Sequence, residues 1–240
     1  MVNQDSYTSH ISGQFNDELE AMKTHMLEMG GLVEAQVAAA LTALVDPENG
    51  DAQAVVARDT EVNNLEIAID EECSRILARR QPTASDLRLV LAVTKVITDL
   101  ERIGDEAAKI ARQAITLSEA GASPSGYVEM RHIGSHVIAM LRSALDGFAR
   151  LDVNMAVAVA QEDKLVDKEY GNAMRSLLTY MMEDPRVITS VINEMWALRS
   201  LERIGDHAHN IAEHVIYLVK GMNARHVGLD DLIAQLEERH

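Results

Sequence analysis

The hexapeptide LERIGD occurs twice in this chain, at residues 100–105 and 201–206, and this repetition constrains the fold more than any other feature. Upstream, identical residues recur at a spacing of 104, one proline recurs at 103, and the two copies of LERIGD lie 101 residues apart. Short deletions in the second half account for this decrease in spacing. The matched pairs are Gly30 and Gly134, Val33 and Val137, Leu41 and Leu145, Val55 and Val159, Asp59 and Asp163, Val62 and Val166, and Pro82 and Pro185. A repeat of roughly 100 residues exceeds the usual solenoid unit. We therefore predict two homologous half-molecules.

Prolines divide each half into three segments, because a proline inside a helix removes a hydrogen bond and clashes with the preceding turn. Between these breaks the apolar residues follow helical periodicity, and no segment shows the alternation of a half-buried strand. The predicted helices cover residues 13–45, 51–79, 84–119, 126–149, 153–183 and 187–221, with a short one at 229–238. The predicted fold class is all-α, with two tandem homologous three-helix bundles. Residues 1–120 would form the first bundle, and residues 121–240 the second bundle with a short C-terminal tail.

The third predicted helix of each half carries apolar residues at alternating steps of four and three. This spacing is typical of near-antiparallel helices packed in a bundle. The stripes contain Leu89, Val93, Val96, Leu100, Ile103, Ala107, Ile110 and Ala114 in the first half, and Ala197, Leu201, Ile204, Ala208, Ile211, Val215 and Leu218 in the second. We expect both stripes to lie in the core.

The charge of the chain argues against direct binding to nucleic acid. Its 38 acidic and 22 basic residues give a formal net charge of −16, and no cluster of Lys and Arg is present to contact phosphates. The single cysteine, Cys73, is expected to be buried, and the lack of a disulfide partner favours a reducing compartment. The polar N-terminus and the lack of a run of about 18 apolar residues predict a cytoplasmic protein that reaches membranes only through its partners.

Acidic residues lie one helical turn apart beside the apolar stripes. The candidate metal-binding residues are Glu101, Asp105, Asp59, Asn63, Glu66 and Asp70 in the first half, and Glu202, Asp206, Asp163 and Asp167 in the second. Like charges at this spacing repel, and a cation coordinated by oxygen atoms would relieve the repulsion. Mg²⁺, Mn²⁺, iron or Zn²⁺ are the candidate ions. The alternative is a solvated acidic helix face that is partly neutralised by Arg102 and Arg203.

Neither the histidines nor any known catalytic motif indicates an active site in this sequence. His132 and His136 have a metal-compatible spacing, but no cysteine or third histidine completes a set. His207, His209 and His214 have no counterparts in the first half, and we predict solvent-facing or interface positions for them. The chain lacks a phosphate-binding glycine loop, a nucleophile elbow and the paired Glu-x-x-His motif of di-iron bundles. We therefore predict that the protein is not an enzyme and that it works by binding partners.

The segments HISGQFNDELE, RQPTASDLRLV, YMMEDPR and VKGMNARHVG, together with both copies of LERIGD, resemble the bacterial PhoU proteins over nearly the whole chain. The resemblance implies a cytoplasmic negative regulator of the phosphate-starvation response. Such a protein links the ATPase subunit of the phosphate ABC transporter to a membrane sensor histidine kinase. The resemblance also implies metal clusters at Glu/Asp-x-x-x-Asp motifs. Asn63 departs from that motif, whereas Glu66 with Asp70 satisfies it.

Two other functions stay open at this stage. The acidic stripes are also compatible with a metal-binding or metal-storage protein. A metal-dependent enzyme acting on phosphate esters is a weaker alternative, because closely spaced ions can clamp a phosphoryl group. The long amphipathic helices and the scattered methionines further suggest a homodimer.

Overall fold

The computed structural model describes residues 4–121, 127–222 and 224, with side chains described from residue 13 onward. This part of the chain contains six α-helices and no strand, as predicted. The helices are α1 (Gln4–Val45), α2 (Ala52–Arg80), α3 (Ala84–Glu119), α4 (Tyr127–Arg150), α5 (Val153–Glu183) and α6 (Ile188–Lys220). A 3-10 turn, Pro185–Val187, precedes α6.

The boundaries of α2 to α6 fall within one residue of the predicted ones. Asp51 and Asp152 each cap a helix, and their carboxylates accept hydrogen bonds from the free backbone N–H groups of the first turn. The predicted start of the first helix near residue 13 is wrong, because α1 begins at Gln4. Adding residues to the end of a helix that is already formed costs less than starting a new one, so the helix continues beyond the apolar stripe. The predicted helix at 229–238 lies outside the described residues.

The two halves form two bundles that share one long interface. Helices α1, α2 and α3 pack against one another, and so do α4, α5 and α6. The bundles meet where α3 packs against α6 and α1 packs against α4. Among the described helices, α2 and α5 contact only those of their own bundle. The third helix of each half therefore lies at the centre of the molecule.

Both predicted stripes lie in the core. Leu100 and Leu201 are fully buried, as are their neighbours along each stripe, although Leu89 at the start of the first stripe is only partly buried. Cys73 is buried as predicted, and its thiol contacts Met22 Sδ at 3.4 Å. Burial raises the pKa of the Cys73 thiol to about 11, which keeps it protonated and unreactive.

Duplicated residues hold the bundles together across the contact between α1 and α4. A Cβ atom added to Gly30 would lie 2.7 Å from Leu145 Cδ2, and one added to Gly134 would lie 2.5 Å from Leu41 Cδ1. Each leucine therefore occupies space that the glycine of the other half leaves open. The pairs that revealed the duplication in the sequence thus meet each other in the fold.

This reciprocal packing predicts strong coupling between Gly30 and Leu145. Gly30→Ala alone should leave the stability unchanged or lower it. Overpacking against Leu145 would cost about 1–3 kcal/mol, whereas the higher helix propensity of alanine would contribute about 1 kcal/mol. In a Leu145→Ala background the new methyl group has room, so the same substitution should stabilise the protein by about 1 kcal/mol. Urea denaturation of the four proteins measures the coupling. Gly31→Ala is the control, since its Cβ would meet nothing within 4 Å, and additive effects at Gly30 and Leu145 would contradict the packing.

Helix α1 also bears on the prediction that nothing spans a membrane. Among the described residues, its segment Gly13–Val45 is long and apolar enough to cross one by length and composition alone. Half of its most apolar window is buried inside the protein, and core helices pass the same test. Met22, Met26 and Met29 of this segment are fully buried. We assign α1 to the core of the first bundle.

A partly buried polar cluster lies where α3 meets α6. Asp99 on α3 faces two histidines of α6: its Oδ1 lies 2.9 Å from His207 Nδ1, and its Oδ2 lies 3.3 Å from His214 Nε2. Asn210 donates a further hydrogen bond to Asp99 at 3.1 Å. Burial acts to raise the pKa of Asp99, but these hydrogen bonds outweigh it and hold the pKa below its ordinary value. His207 and His214 are therefore interface residues, and His214 is buried, not solvent-facing.

A second charged group crosses the same interface. Glu106 on α3 is 3% exposed, and its Oε1 lies 3.2 Å from Arg203 Nε on α6 and 3.0 Å from Lys109 Nζ. Two cations compensate the buried carboxylate, which would otherwise be costly to desolvate. Arg203 thus pairs across the bundles with Glu106, so it does not supply the neutralisation that the alternative of a solvated acidic face assigned to it.

Candidate metal centres

Three carboxylates from α5 and α6 converge in the second bundle. Asp167, Glu202 and Asp206 each place an oxygen atom within 4.8 Å of the others. Glu202 and Asp206 are one turn apart on α6, and Asp167 reaches them from α5, as the spacing predicted. Asp163 lies beside them and acts electrostatically on Asp206. We call these four residues the second acidic cluster.

The second acidic cluster is electrostatically unfavourable without a cation. Desolvation and the Asp206 carboxylate raise the pKa of Glu202, while Arg199 offsets part of this effect. Desolvation, followed by Asp163 and Asp167, raises the pKa of Asp206. Desolvation and Asp163 likewise raise the pKa of Asp167. The ionised forms are thus destabilised by their surroundings, and a bound cation would reverse this.

Two partners of the cluster were not anticipated from the sequence. Arg199 donates a hydrogen bond to Glu202 Oε1 at 2.6 Å. Glu202 is only 9% exposed, so it is more buried than its predicted position beside the apolar stripe suggests. His209 Nδ1 lies 2.6 Å from Asp163 Oδ2, and this hydrogen bond raises the pKa of His209. His209 therefore adjoins a candidate metal ligand. His209 follows Asp206 by three residues and therefore lies on the same face of the helix, so this spacing could have predicted its place beside the cluster.

The first bundle holds a related group on α2 and α3, which we call the first acidic cluster: Asp59, Asn63, Glu66, Glu101 and Asp105. Desolvation and Asp105 raise the pKa of both Asp59 and Glu101. Desolvation also raises the pKa of Glu66.

The first acidic cluster is looser than the second and partly neutralised. Arg102 Nε lies 3.5 Å from Glu101 Oε2, and Arg102 Nη1 lies 3.9 Å from Asp105 Oδ2, so Arg102 offsets part of the charge, as the alternative of a partly neutralised helix face expects. Asp70 acts electrostatically on Glu66, but no contact joins it to Glu101 or Asp105 in the described part of the chain.

Buried oxygen atoms without hydrogen-bond partners mark both clusters. They are Asp59 Oδ1 and Asn63 Oδ1 in the first cluster and Glu202 Oε2 in the second. A buried polar atom that makes no hydrogen bond is costly, and each such atom calls for a water molecule or an ion. All three are hard oxygen donors, which suit Mg²⁺, Mn²⁺ or iron. The donor sets therefore fit metal ions, and Asn63 contributes an amide oxygen where the second half has Asp167.

The glycine of each LERIGD motif allows the helices to approach closely. A Cβ atom on Gly205 would lie 3.2 Å from Val137 Cγ1 on α4 and 3.8 Å from Asp163 Oδ1 on α5. On Gly104 it would lie 3.2 Å from Val62 Cγ1 on α2. Another helix thus approaches each of these glycines closely, and this brings the carboxylates of neighbouring helices within reach of one another.

The fold and the two clusters define a class of protein: duplicated three-helix bundles that carry paired carboxylates on the second and third helix of each half. The family model described as PhoU domain matches the chain twice, at residues 26–114 and 130–215. The chain belongs to the PhoU family.

Individual relatives agree with this assignment. The chain is 61% identical over 237 residues to the phosphate-specific transport system accessory protein PhoU homolog of Pseudomonas aeruginosa, which covers 99% of this chain and 98% of that protein. It is 50% identical over 223 residues to the phosphate-specific transport system accessory protein PhoU of Escherichia coli K12, covering 93% and 92%.

Solved structures share the fold. The crystal structure of PhoU from P. aeruginosa superposes with a TM-score of 0.84 at 62% identity, over 87% of this chain and 100% of that chain. The phosphate transport system regulatory protein PhoU from Streptococcus pneumoniae superposes with a TM-score of 0.80 at 29% identity, over 87% and 98%. The predicted duplicated all-α fold and the predicted family are thus confirmed.

Proposed function

We propose that the protein is an accessory of a phosphate-specific transport system and a negative regulator of the phosphate-starvation response. The observation that supports this most is the match to relatives named as such accessory proteins, at 61% and 50% identity over 99% and 93% of the chain. These relatives are themselves covered to 98% and 92% of their length, so the shared name applies to the whole architecture.

In this proposal the protein works by contact. It links the ATPase subunit of the phosphate ABC transporter to a sensor histidine kinase in the cytoplasm, and it keeps the kinase inactive when phosphate is plentiful. Exposed apolar side chains on α5 and α6 support protein contacts there, since surfaces of this kind are typical of interfaces. They include Leu178, Tyr180, Met182, Ile192 and Trp196, of which Trp196 is 61% and Met182 84% exposed. A homodimer is part of the proposal, and light scattering that gave the mass of a single chain would remove it.

Deleting the gene tests the proposed regulation. We expect high alkaline phosphatase activity in phosphate-replete cells that lack the gene, because the kinase would no longer be held inactive. A plasmid copy should restore low activity. Low activity in the deletion strain would overturn the proposal, and co-purification with the transporter ATPase and the kinase domain tests the two contacts separately.

We also propose that both acidic clusters hold metal ions. Glu202, Asp206, Asp163 and Asp167 would bind one ion or group of ions, and the donors of the first acidic cluster would bind another. The three buried oxygens without partners support this assignment. The ions would neutralise the carboxylates and tie the second helix of each bundle to the third. The second candidate is that metal binding or storage is the main function. This candidate would be favoured if deletion of the gene left the phosphatase activity low while the purified protein retained metal.

We propose that the protein acts without catalysis. The described residues contain no Ser-His-Asp or Cys-His constellation among their hydrogen bonds, and the family names describe an accessory role. A phosphate-ester enzyme using the acidic clusters is the competing reading. Turnover of any phosphate ester above the buffer rate, lost when Glu202 is replaced by glutamine, would overturn our proposal.

A further inference from the structure

Two histidines and two glutamates meet on a different face of the second bundle, between α4 and α5. His132 Nδ1 lies 3.1 Å from Glu169 Oε2, and His136 Nδ1 lies 2.7 Å from Glu162 Oε1. The imidazole rings of His132 and His136 are 4.5 Å apart between centroids and tilted by 41°. None of these four residues belongs to the second acidic cluster, which joins α5 to α6.

The geometry of the group is compatible with a metal ion as well as with two ion pairs. One donor atom from each of His132, His136 and Glu169 lies within 4.8 Å of the other two. Ligand atoms around a tetrahedral zinc ion lie about 3.3 Å apart, so rotamer changes alone would close the set. His136 Nδ1 is buried and makes no hydrogen bond in the described part of the chain, although it lies 2.7 Å from Glu162 Oε1. This ring nitrogen is held by a charge contact alone and is available as a metal ligand.

We infer that His132, His136 and Glu169 form a binding site for Zn²⁺ or a similar borderline divalent ion. Two imidazoles one turn apart and one carboxylate from a neighbouring helix supply three protein ligands, and solvent supplies the fourth position. Glu162 adds a second negative charge, which balances the two positive charges of the ion. Imidazole ligands distinguish this site from the acidic clusters, whose oxygen donors prefer harder ions.

The duplication provides an internal comparison. At a spacing of 104 the first half has Glu28, Leu32 and Leu65 in place of His132, His136 and Glu169. The first bundle does contain one histidine–carboxylate pair between its first two helices, with His25 Nδ1 2.9 Å from Glu72 Oε2. It lacks a second histidine one turn away, so we expect one zinc site of this kind per chain and none at His25.

Calorimetric titration of the metal-free protein with Zn²⁺ tests the inference. The titration is done in millimolar Mg²⁺, which competes for the oxygen sites but not for imidazole. We expect the wild-type protein to bind one more Zn²⁺ per chain than a His132→Ala, His136→Ala double variant. The His25→Ala control should keep the wild-type stoichiometry. The inference would be overturned if the wild type and the double variant bound the same number of Zn²⁺ ions per chain. It would also be overturned if the His25→Ala control bound as few Zn²⁺ ions as the double variant.

A second readout distinguishes this site from the acidic clusters. Co²⁺ bound by imidazoles has visible absorption that depends on its ligands, and we expect the double histidine variant to lose that absorption. A Glu202→Gln, Asp206→Asn variant should retain it. Far-UV circular dichroism checks that each variant is folded. Absorption that disappears only with the Glu202 and Asp206 substitutions would place the cobalt in the acidic cluster and overturn the inference.

Discussion

Replacing Leu201 with alanine is expected to lower the free energy of unfolding by about 2–5 kcal/mol. Leu201 is fully buried in the stripe of α6, which is the central helix of the second bundle and also packs against α3. Removing its isobutyl group costs the transfer free energy of the lost atoms and leaves a cavity that the rigid neighbouring helices fill only in part. Urea denaturation followed by far-UV circular dichroism measures the change.

Two further substitutions separate core packing from the loss of any leucine. Leu100→Ala removes the equivalent side chain in α3, which is also fully buried, so we expect a loss of similar size. Leu165→Ala removes a side chain that is 50% exposed on α5, and it should change the stability by less than about 1 kcal/mol. If Leu201→Ala were as mild as Leu165→Ala, the stripe would not be the core of the bundle.

The sequence was enough to predict the helices and the pairs of facing carboxylates because these features depend on local spacing. Proline and capping aspartates mark helix ends through backbone hydrogen bonding, and the step of four and three fixes which face of a helix is apolar. Glu202 and Asp206 follow from the same spacing, since one turn places both on one face. The duplication then repeats the conclusion in the other half.

The packing of the bundles against each other could not be predicted in this way. Small buried residues such as Ala108 and Ala111 on α3 can pack either within a bundle or between bundles. The spacing along one helix does not show which polar residues lie in the interface, because a charged side chain is buried only when partners from distant positions satisfy it. Asp99 needed His207, which lies more than one hundred residues further along the chain.

A usable signal for this interface was nevertheless present in the repeat. At the spacing of 101, the two halves differ in charge where they meet: Asp99 corresponds to Ser200, Glu106 to His207, Lys109 to Asn210 and Gln113 to His214. The contacts join positions that are not equivalent in the repeat, since Asp99 lies beside His207 and His214, the counterparts of Glu106 and Gln113. The differences between the halves therefore indicate which face of the repeated helix is buried between the bundles, and the structure supplies the pairing.

Replacing Glu202 with glutamine and Asp206 with asparagine is expected to remove the metal of the second acidic cluster and to leave the helix content unchanged. Both side chains would keep their size but lose the charge that holds a hard cation, and Asp163 and Asp167 alone offer too few donors. Metal analysis by mass spectrometry measures the content. Glu61→Gln with Glu71→Gln removes the same formal charge from exposed positions of α2, and this control should keep the wild-type content.

The same variant should also change how stability depends on pH in the metal-free protein. The pKa values of Glu202 and Asp206 are raised in the folded state, so the folded protein binds protons more tightly than the unfolded chain. Their contribution is present below the ordinary carboxyl pKa of about 4 and is lost as the pH rises through the raised values. The amide variant should therefore gain stability over the wild type as the pH rises from about 4 to 7. Added Mn²⁺ should reverse this order, because it stabilises only the protein that binds it. Unchanged metal content together with a stability difference that does not vary with pH would show that these carboxylates form only a solvated helix face.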